Sequence, residues 1–277
     1  MSFKRIGLVV PYNTAPTFDL NTDGLERLIS ANAGNLMFRY GVTSHIKDEY
    51  VPITFNRAKV DELKDKIDII VYPTANQLNP KLKNLQNHAK FIRELGKPII
   101  MVGLGAQSDT KIDLEKHLSK ETIDYFKTVS DHTHSIGVRG AYTAEILERI
   151  SVKNTTIIGC PSNFINTSNK LGEKLERRLT HLQEGKRRLQ RFALFPQHGN
   201  SYLDDYHRPS EQRLFDWARR YRGATYVVNG PTEYYALARG HAARVSAERR
   251  AEAAAFFAPC SAPQGWSTGN VSPAVST

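Results

Sequence analysis

Short apolar runs alternate with amphipathic stretches over the first 165 residues of the chain. Five runs are brief, rich in Ile and Val and bounded by Gly or Pro, which is typical of buried strands: residues 6–10, 67–72, 98–102, 135–138 and 155–158. Four stretches carry apolar residues at helical spacing: residues 59–66, 80–95, 111–129 and 142–150. The repeated strand–helix–strand order predicts a mostly parallel sheet with helices on both faces. We therefore expect an α/β fold with a Rossmann-like domain over residues 1–167.

The pattern changes after this first region. Residues 168–190 are polar and strongly charged, and we interpret them as a linker followed by a surface helix. A second α/β pattern covers residues 191–252, with predicted strands at 191–195 and 225–228 and predicted helices at 207–221 and 231–239. This second Rossmann-like domain is shorter than the usual domain size, so we expect it to be incomplete. Residues 253–277 contain no charged side chain and no regular period, which predicts an irregular tail.

Composition excludes several classes of protein. Hydrophobic residues make up 40% of the chain and charged residues 24%, which is typical of globular proteins. No apolar run approaches the roughly 20 residues that a membrane-spanning helix needs. The two cysteines, Cys160 and Cys260, are too few for a disulfide framework or a cysteine metal cluster. We therefore expect a cytoplasmic protein.

The net charge of +10 favours an anionic partner. Nucleic acid, phosphorylated small molecules, acidic glycans and a membrane surface all fit the sign of this charge. The basic residues are spread over both halves of the chain, without a long basic run and with few aromatic residues among them. We therefore expect no dedicated nucleic-acid-binding surface.

The first of three glycine-containing turns opens a helical stretch at residues 32–36, with the sequence Asn-Ala-Gly-Asn-Leu. Gly34 allows the backbone to approach a ligand closely, and Asn35 follows it. Free N–H groups at the start of a helix favour a bound anion. A simple helix cap made by asparagine explains the same spacing equally well.

The second turn, residues 103–108, follows a predicted strand and reads Gly-Leu-Gly-Ala-Gln-Ser. It begins like a dinucleotide-binding fingerprint, but Ser108 stands where the third glycine should be and no helix follows directly. We therefore do not expect a nucleotide cofactor here. The turn is predicted to present its backbone amides, Gly105 and the Gln107 side chain at the carboxyl edge of the sheet.

The third turn carries Arg139 at the end of a strand that runs into a helix, in residues 135–143. An arginine in this position can hold a carboxylate or phosphate with two hydrogen bonds. The alternative is an ordinary surface arginine paired with Glu145 or Glu148. In the second domain, His198 follows a predicted strand and is a candidate to face a cleft between the domains, although a plain loop histidine fits as well.

Two other patterns do not carry a function. Residues 265–269 match the glycine–serine pattern of a hydrolase nucleophile, but they lie in the uncharged tail without the strand and helix that the motif requires. His132 and His134 lack further ligands at metal-binding spacing, so we interpret them as loop histidines.

The three turns taken together resemble the polysaccharide pyruvyl transferase family. Four segments carry the resemblance: the Gly-Asn helix start at residues 32–40, the Gly-x-Gly-x-Gln turn at 103–108, the Val-Arg-x-x-x-Thr segment at 137–147 and a Gly-x-Pro element at 158–162. Each segment alone is weak, but their order and spacing are moderately specific. The resemblance extends over roughly residues 1–240.

This resemblance implies two facing Rossmann-like domains, a GT-B-type arrangement, and transfer of pyruvate from phosphoenolpyruvate to a sugar as a ketal. It implies that Arg139 neutralises phosphoenolpyruvate. The first-domain side of the cleft would be lined by Gly34, Asn35, Gly105 and Gln107, and His198 is a weak candidate for the catalytic acid. A sugar or lipid-linked glycan would be the acceptor, which implies contact with the inner face of a membrane. No metal or cofactor is implied.

One family motif, Gly-Thr-Arg-x-His-Gly in the second domain, has no counterpart in this chain. Three hypotheses therefore stay open. The chain is an active pyruvyl transferase, or an inactive relative that only binds a glycan or a protein partner. The third hypothesis is a GT-B-type glycosyltransferase that uses a nucleotide sugar, although the glycine pattern argues against it.

Overall fold

The computed structural model describes residues 5–9, 24, 34–82, 85–107, 113–186, 192–194, 208–218, 220–221 and 224–226. These residues belong to two compact units. The first unit contains residues 5–9 and the described residues between 36 and 167. The second contains residues 24, 34 and 35 and the described residues from 168 onward.

The first unit is built on a six-stranded sheet with the strand order β2-β1-β3-β4-β5-β6. Every neighbouring pair is parallel. The strands are β1 (Ile6–Val9), β2 (Tyr50–Ile53), β3 (Ile69–Pro73), β4 (Ile99–Leu104), β5 (Ile136–Val138) and β6 (Thr155–Ile157). After β1 the chain turns outward to β2 and then crosses back to β3. The strand order therefore reverses between β1 and β3, and in open α/β sheets ligands bind beyond the carboxyl ends of the strands at such a point.

Among the described residues, five helices flank this sheet: α1 (Gly34–Thr43), α2 (Val60–Lys66), α3 (Leu85–Leu95), α4 (Lys120–Asp131) and α5 (Ala141–Arg149). Connections between parallel strands are right-handed, so the outward step through α1 and the return steps through α2–α5 place their helices on opposite faces. The packing agrees with this rule. Val42 of α1 packs with Leu8 and Val71 on one face of the sheet. Ile70 and Tyr72, which point the other way from the same strand, pack with α2–α5.

The main core lies between the sheet and α2–α5, and aromatic rings fill its centre. Phe91, Tyr125 and Phe126 are fully buried. The Phe55 ring lies edge-on to Tyr72 at a centroid distance of 5.1 Å and edge-on to Phe91 at 5.4 Å. Because such rings bury large apolar areas and prefer this geometry, they account for much of the stability of the first unit.

The second unit contains α6 (Leu171–Gln183), β7 (Phe192–Leu194), α7 (Arg208–Ala218) and β8 (Ala224–Tyr226). Strands β7 and β8 form a parallel pair. The α/β class is confirmed, whereas one strand pair does not establish a second Rossmann-like domain. The four-part domain division stays a prediction, and the predicted helix at 231–239 and the tail at 253–277 lie outside the described residues. None of the helices that the structure describes has the length and apolar content required to cross a bilayer.

Two elements differ from the sequence-based expectation. Strand β2 was not predicted, because it is short, three of its four residues are exposed and it contains Pro52. It lies at the edge of the sheet, where a strand tolerates proline. The helix predicted over residues 111–129 was wrong as a single element. Its described part is a 3₁₀ turn (Leu114–His117) followed by α4, because Ser119 adopts an extended conformation and caps α4 by accepting a hydrogen bond from the Thr122 amide at 3.1 Å.

Candidate functional site

The predicted residues of the first unit lie where three neighbouring strands end. Arg139 directly follows β5, Gly105 directly follows β4, and residues 74–78 follow β3. Since parallel strands all point the same way, these segments share the carboxyl edge of the sheet. The end of β3 also belongs to the point where the strand order reverses.

The Arg139 side chain is fixed by two contacts. Its Nη1 donates a hydrogen bond to Oδ1 of Asn76 at 3.2 Å, and its guanidinium carbon lies 5.3 Å from the centroid of the Phe38 ring. The second distance is within the range of a cation–π interaction. Its Nε is buried and has no hydrogen-bond partner among the described residues. The side chain is thus held at the sheet edge, and its buried Nε is not used by any of the described residues.

The structure does not show the alternative ion pair between Arg139 and Glu145 of α5. That carboxylate accepts a hydrogen bond from Arg149, one helical turn further along α5. Arg149 also binds Glu115 at 2.9 Å. The partner found for the Arg139 guanidinium is the neutral amide of Asn76, so the positive charge of Arg139 is not compensated by that contact.

Gly105 provides the space in which Arg139 and Asn76 meet. A Cβ atom on this glycine would lie 2.8 Å from Oδ1 of Asn76 and 3.3 Å from Cδ of Arg139. Both distances are shorter than ordinary van der Waals contacts. The absence of a side chain at residue 105 is therefore explained by the two side chains that pass over it.

The backbone amides of the turn after β4 are already used within the domain. The Gly105 amide donates to Ala75 O at 2.9 Å and the Gln107 amide donates to Leu78 O at 3.0 Å. The Ala106 amide donates to the hydroxyl of Thr143 at 3.0 Å. The expectation that this turn presents free amides was wrong, because the loop after β3 and the start of α5 accept their hydrogen bonds. The Gln107 side chain is exposed at this edge.

Thr143 explains the spacing of the Val-Arg-x-x-x-Thr segment. The arginine ends β5, and the threonine lies in the first turn of α5, where it is 4% exposed. Its hydroxyl accepts the Ala106 amide, and the Arg139 amide donates to Leu104 O at 2.8 Å. One segment thus fixes the turn after β4 from two sides. The motif spacing does not by itself reveal this role of the threonine, because the Ala106 amide that it binds comes from another part of the chain.

The proline of the Gly-x-Pro element begins a 3₁₀ turn, Pro161–Phe164. This turn packs against two glycines at positions where a side chain would clash with Pro161. A Cβ on Gly103 would lie 2.7 Å from the Pro161 ring, and one on Gly41 of α1 would lie 2.8 Å from the Pro161 carbonyl carbon. His45, just after α1, is hydrogen-bonded through Nε2 to Phe164 O at 2.8 Å. The turn therefore connects α1 to the carboxyl end of β4.

The guanidinium groups of two arginines lie near the ring of Phe38 in α1. The ring is 3% exposed. Besides Arg139, Arg39 places its guanidinium carbon 5.7 Å from the ring centroid. Gly34 and Asn35 lie in the first described turn of the same helix and are half-buried. The position of Phe38 and Arg39 next to Arg139 could not be predicted, because helical spacing alone does not show which side of α1 faces the end of β5.

Tyr72, near the carboxyl end of β3, belongs to the main core and is influenced by a charge at the site. Burial raises the pKa of Tyr72 to about 12, although a hydrogen bond from Gln77 and the positive charge of Arg39 both lower it. The side-chain amide of Gln77 donates to the Tyr72 hydroxyl. Arg39 is therefore close enough to the carboxyl end of β3 for its charge to act there.

The remaining predicted site residue, His198, lies outside the described residues. Within the part of the chain that the structure describes, no three His, Cys, Asp or Glu side chains come together as metal ligands would.

Comparison with known proteins decides the family. The family described as "Polysaccharide pyruvyl transferase" matches residues 32–232, which is more than half of the chain. The chain belongs to the polysaccharide pyruvyl transferase family. The matched range contains all four segments on which the resemblance rested, as well as His198, so the family suggested by the sequence is confirmed. No curated protein and no solved structure matches this pyruvyl transferase homologue.

Proposed function

We propose that this chain transfers pyruvate from phosphoenolpyruvate to a sugar of a cell-surface glycan precursor, forming a ketal. The family supports a transferase that joins a pyruvyl group to a glycan. The main support for phosphoenolpyruvate as the donor is the Arg139 guanidinium. This group lies at the carboxyl edge of the sheet and is hydrogen-bonded to the neutral amide of Asn76. Phosphoenolpyruvate is a compact anion with a phosphate and a carboxylate, and guanidinium groups bind both.

The reaction makes defined demands on the site. Protonation of the methylene carbon of phosphoenolpyruvate creates a methyl group and a cationic neighbouring carbon, which one sugar hydroxyl attacks with loss of its proton. The bond from this carbon to the phosphate oxygen then breaks, inorganic phosphate leaves, and a second hydroxyl closes the ketal with loss of its proton. The site must therefore supply an acid and neutralise the departing phosphate.

Arg139 takes the second role in this proposal. Gly34, Asn35, Gly105 and Gln107 are the further donor-binding residues of this proposal, on the strength of the family resemblance alone. His198 is the candidate acid on the strength of its position in the sequence alone. The sequence also contains one Arg-x-His spacing, Arg239-Gly240-His241, without the Gly-Thr and Gly that flank the family motif.

Thermal unfolding with phosphoenolpyruvate tests the donor. A site filled to about 100 times its dissociation constant adds about 2.7 kcal/mol to the free energy of unfolding. We expect such a shift for the unchanged chain and its loss in Arg139→Ala. Arg93→Ala is the matched control, since Arg93 is an exposed ion-pair residue on α3 that binds Asp124. An equal shift in Arg139→Ala would contradict the proposed donor site.

Turnover is tested by release of inorganic phosphate from phosphoenolpyruvate in the presence of sugar and lipid-linked glycan acceptors. Phosphate release with a mass gain on the acceptor is the expected result, lost in His198→Ala or His241→Ala according to which residue is the acid. A lipid-linked acceptor would bring the protein to the inner face of the membrane. Preferential stabilisation by a nucleoside diphosphate would instead favour a nucleotide-sugar glycosyltransferase.

A second candidate function is binding without turnover. The observation in its favour is that the sequence contains no complete Gly-Thr-Arg-x-His-Gly motif. Glycan binding together with phosphoenolpyruvate binding, but without phosphate release from any acceptor, would support this function over catalysis.

A further inference from the structure

We infer that Arg39 is the second cation of the donor site, and that Arg39 and Arg139, whose guanidinium groups both lie near the Phe38 ring, bind one small anion of two or more negative charges. This inference deepens the proposed function, on which it rests for the identity of the anion. The site is defined by three residues from two elements, namely Phe38 and Arg39 on α1 and Arg139 at the end of β5.

The first support is the shared ring. The two guanidinium carbons lie 5.7 Å and 5.3 Å from the centroid of Phe38, so they are about 11 Å apart at most. A charge-assisted hydrogen bond adds about 2.8 Å from nitrogen to oxygen on each side. A phosphate monoester with a neighbouring carboxylate is long enough to accept hydrogen bonds from both arginines at such a separation.

The second support comes from the end of β3, where both arginines act. Arg139 binds Asn76 in the loop after this strand. Arg39 reaches the same end of β3 with its charge, which lowers the pKa of Tyr72 against the larger raising effect of burial. Two positive charges thus converge beside the point where the strand order reverses, which is where open α/β sheets bind ligands.

The third support is the buried Nε of Arg139, which has no hydrogen-bond partner among the described residues. A buried donor on a charged group costs stability when it is left without an acceptor. Two like charges near one ring repel each other, and an anion bound by both guanidinium groups reduces this repulsion. This arrangement favours a ligand with at least two negative charges over a simple carboxylate.

The test measures dissociation constants of the full chain for phosphoenolpyruvate, inorganic phosphate and pyruvate at fixed ionic strength. The variants are Arg39→Gln, Arg139→Gln and the double variant, with Arg93→Gln as the control for the same loss of net charge. We expect each single variant at the site to weaken phosphoenolpyruvate at least tenfold and the control less than twofold. Pyruvate, with one charge, should bind the unchanged chain far more weakly than phosphoenolpyruvate.

A second measurement needs no variant and covers the case in which Arg39→Gln does not fold. Phenylglyoxal modifies arginine side chains, and peptide mapping reports the modified positions. Phosphoenolpyruvate should protect Arg39 and Arg139 together and leave Arg93 reactive. Protection of Arg139 without Arg39 would overturn the inference.

The outcomes separate the inference from the proposed function. If Arg39→Gln binds phosphoenolpyruvate like Arg93→Gln while Arg139→Gln does not, the inference fails and the proposed donor stands. If inorganic phosphate binds with dependence on both arginines but phosphoenolpyruvate does not bind, the two-arginine site stands and the donor is wrong. If no anion binds the unchanged chain, both are overturned.

Discussion

Asn76 and Arg139 are joined by a hydrogen bond that passes over the end of the strand between them. Their strands, β3 and β5, are not neighbours, since β4 separates them. The 3.2 Å bond from the Arg139 Nη1 to the Asn76 Oδ1 spans this gap because β4 is followed there by a glycine, Gly105. The position of the arginine is therefore determined jointly by three strands.

Replacing Asn76 should weaken donor binding through Arg139. We expect Asn76→Ala to release the guanidinium and to raise the dissociation constant for phosphoenolpyruvate roughly tenfold, because a hydrogen bond to a charged group contributes about 1.5 kcal/mol. Calorimetric titration measures this change. Asn79→Ala is the control, since Asn79 lies in the same loop and its Oδ1 accepts a hydrogen bond from the Lys81 amide, at 2.9 Å, instead of from Arg139. Equal affinity in both variants would show that Asn76 does not position the arginine.

Gly105→Ala should displace the same pair of side chains. The new Cβ would meet the Asn76 Oδ1 at 2.8 Å and the Arg139 Cδ at 3.3 Å, and both are side-chain atoms that can move. We therefore expect a loss of phosphoenolpyruvate affinity with a small change in thermal stability. Gly140→Ala is the control, because a Cβ there meets nothing within 4 Å and the backbone is extended. A similar loss of affinity in the control would contradict the proposed role of Gly105.

Gly41→Ala should instead reduce the stability of the first unit. Its Cβ would lie 2.8 Å from the Pro161 carbonyl carbon and closer still to the carbonyl oxygen, and these backbone atoms cannot rotate away. Such overpacking costs about 1–3 kcal/mol, which chemical denaturation measures. Gly172→Ala in α6 is the control. A Cβ there meets no atom within 4 Å, so we expect no loss and a gain of up to about 1 kcal/mol from higher helix propensity.

Alkaline pH should destabilise the main core through Tyr72. The folded-state pKa of Tyr72 is about 12, whereas a tyrosine in the unfolded chain has a pKa of about 10. Below pH 10 both states keep the proton and this group adds no pH dependence. Above pH 10 the unfolded state loses the proton first, so the free energy of unfolding falls, by about 2 kcal/mol on reaching pH 12.

Burial also raises the pKa of Tyr125, which acts in the same direction. Denaturation between pH 9 and pH 12 checks the prediction. Tyr72→Phe should reduce the alkaline loss, while at neutral pH it should cost about 1 kcal/mol for the hydrogen bond from Gln77. Tyr40→Phe is the control because Tyr40 is 59% exposed. An unchanged alkaline slope in Tyr72→Phe would contradict this account.

The sequence predicts the parts of the site that depend on chain-local signals. Arg139 and Gly105 follow strands directly, and the end of a parallel strand can be recognised from an apolar run that stops at glycine. The α/β class follows from the same alternation of strands and helices. Edge strand β2 escapes detection because an exposed strand with a proline lacks the apolar signal that marks the buried strands.

The partners of Arg139 could not be predicted in this way. Asn76 reaches it only because β3, β4 and β5 are placed in one register, and Phe38 lies beneath it only because α1 packs on the opposite face from α2–α5. These are long-range relations that a single sequence does not encode locally. The expectation of free amides failed for the same reason, since their acceptors come from the loop after β3 and from Thr143.

The packing of the Pro161–Phe164 turn bears on the order in which the first unit is completed during translation. Helix α1 leaves the ribosome early. However, Gly41 packs against Pro161, and His45 is hydrogen-bonded to Phe164, which lies 119 positions further along the chain. Domains fold largely as units while the chain is synthesised. The contacts of α1 are therefore completed only after almost the entire first unit has emerged, although this helix also packs on β1 and β3.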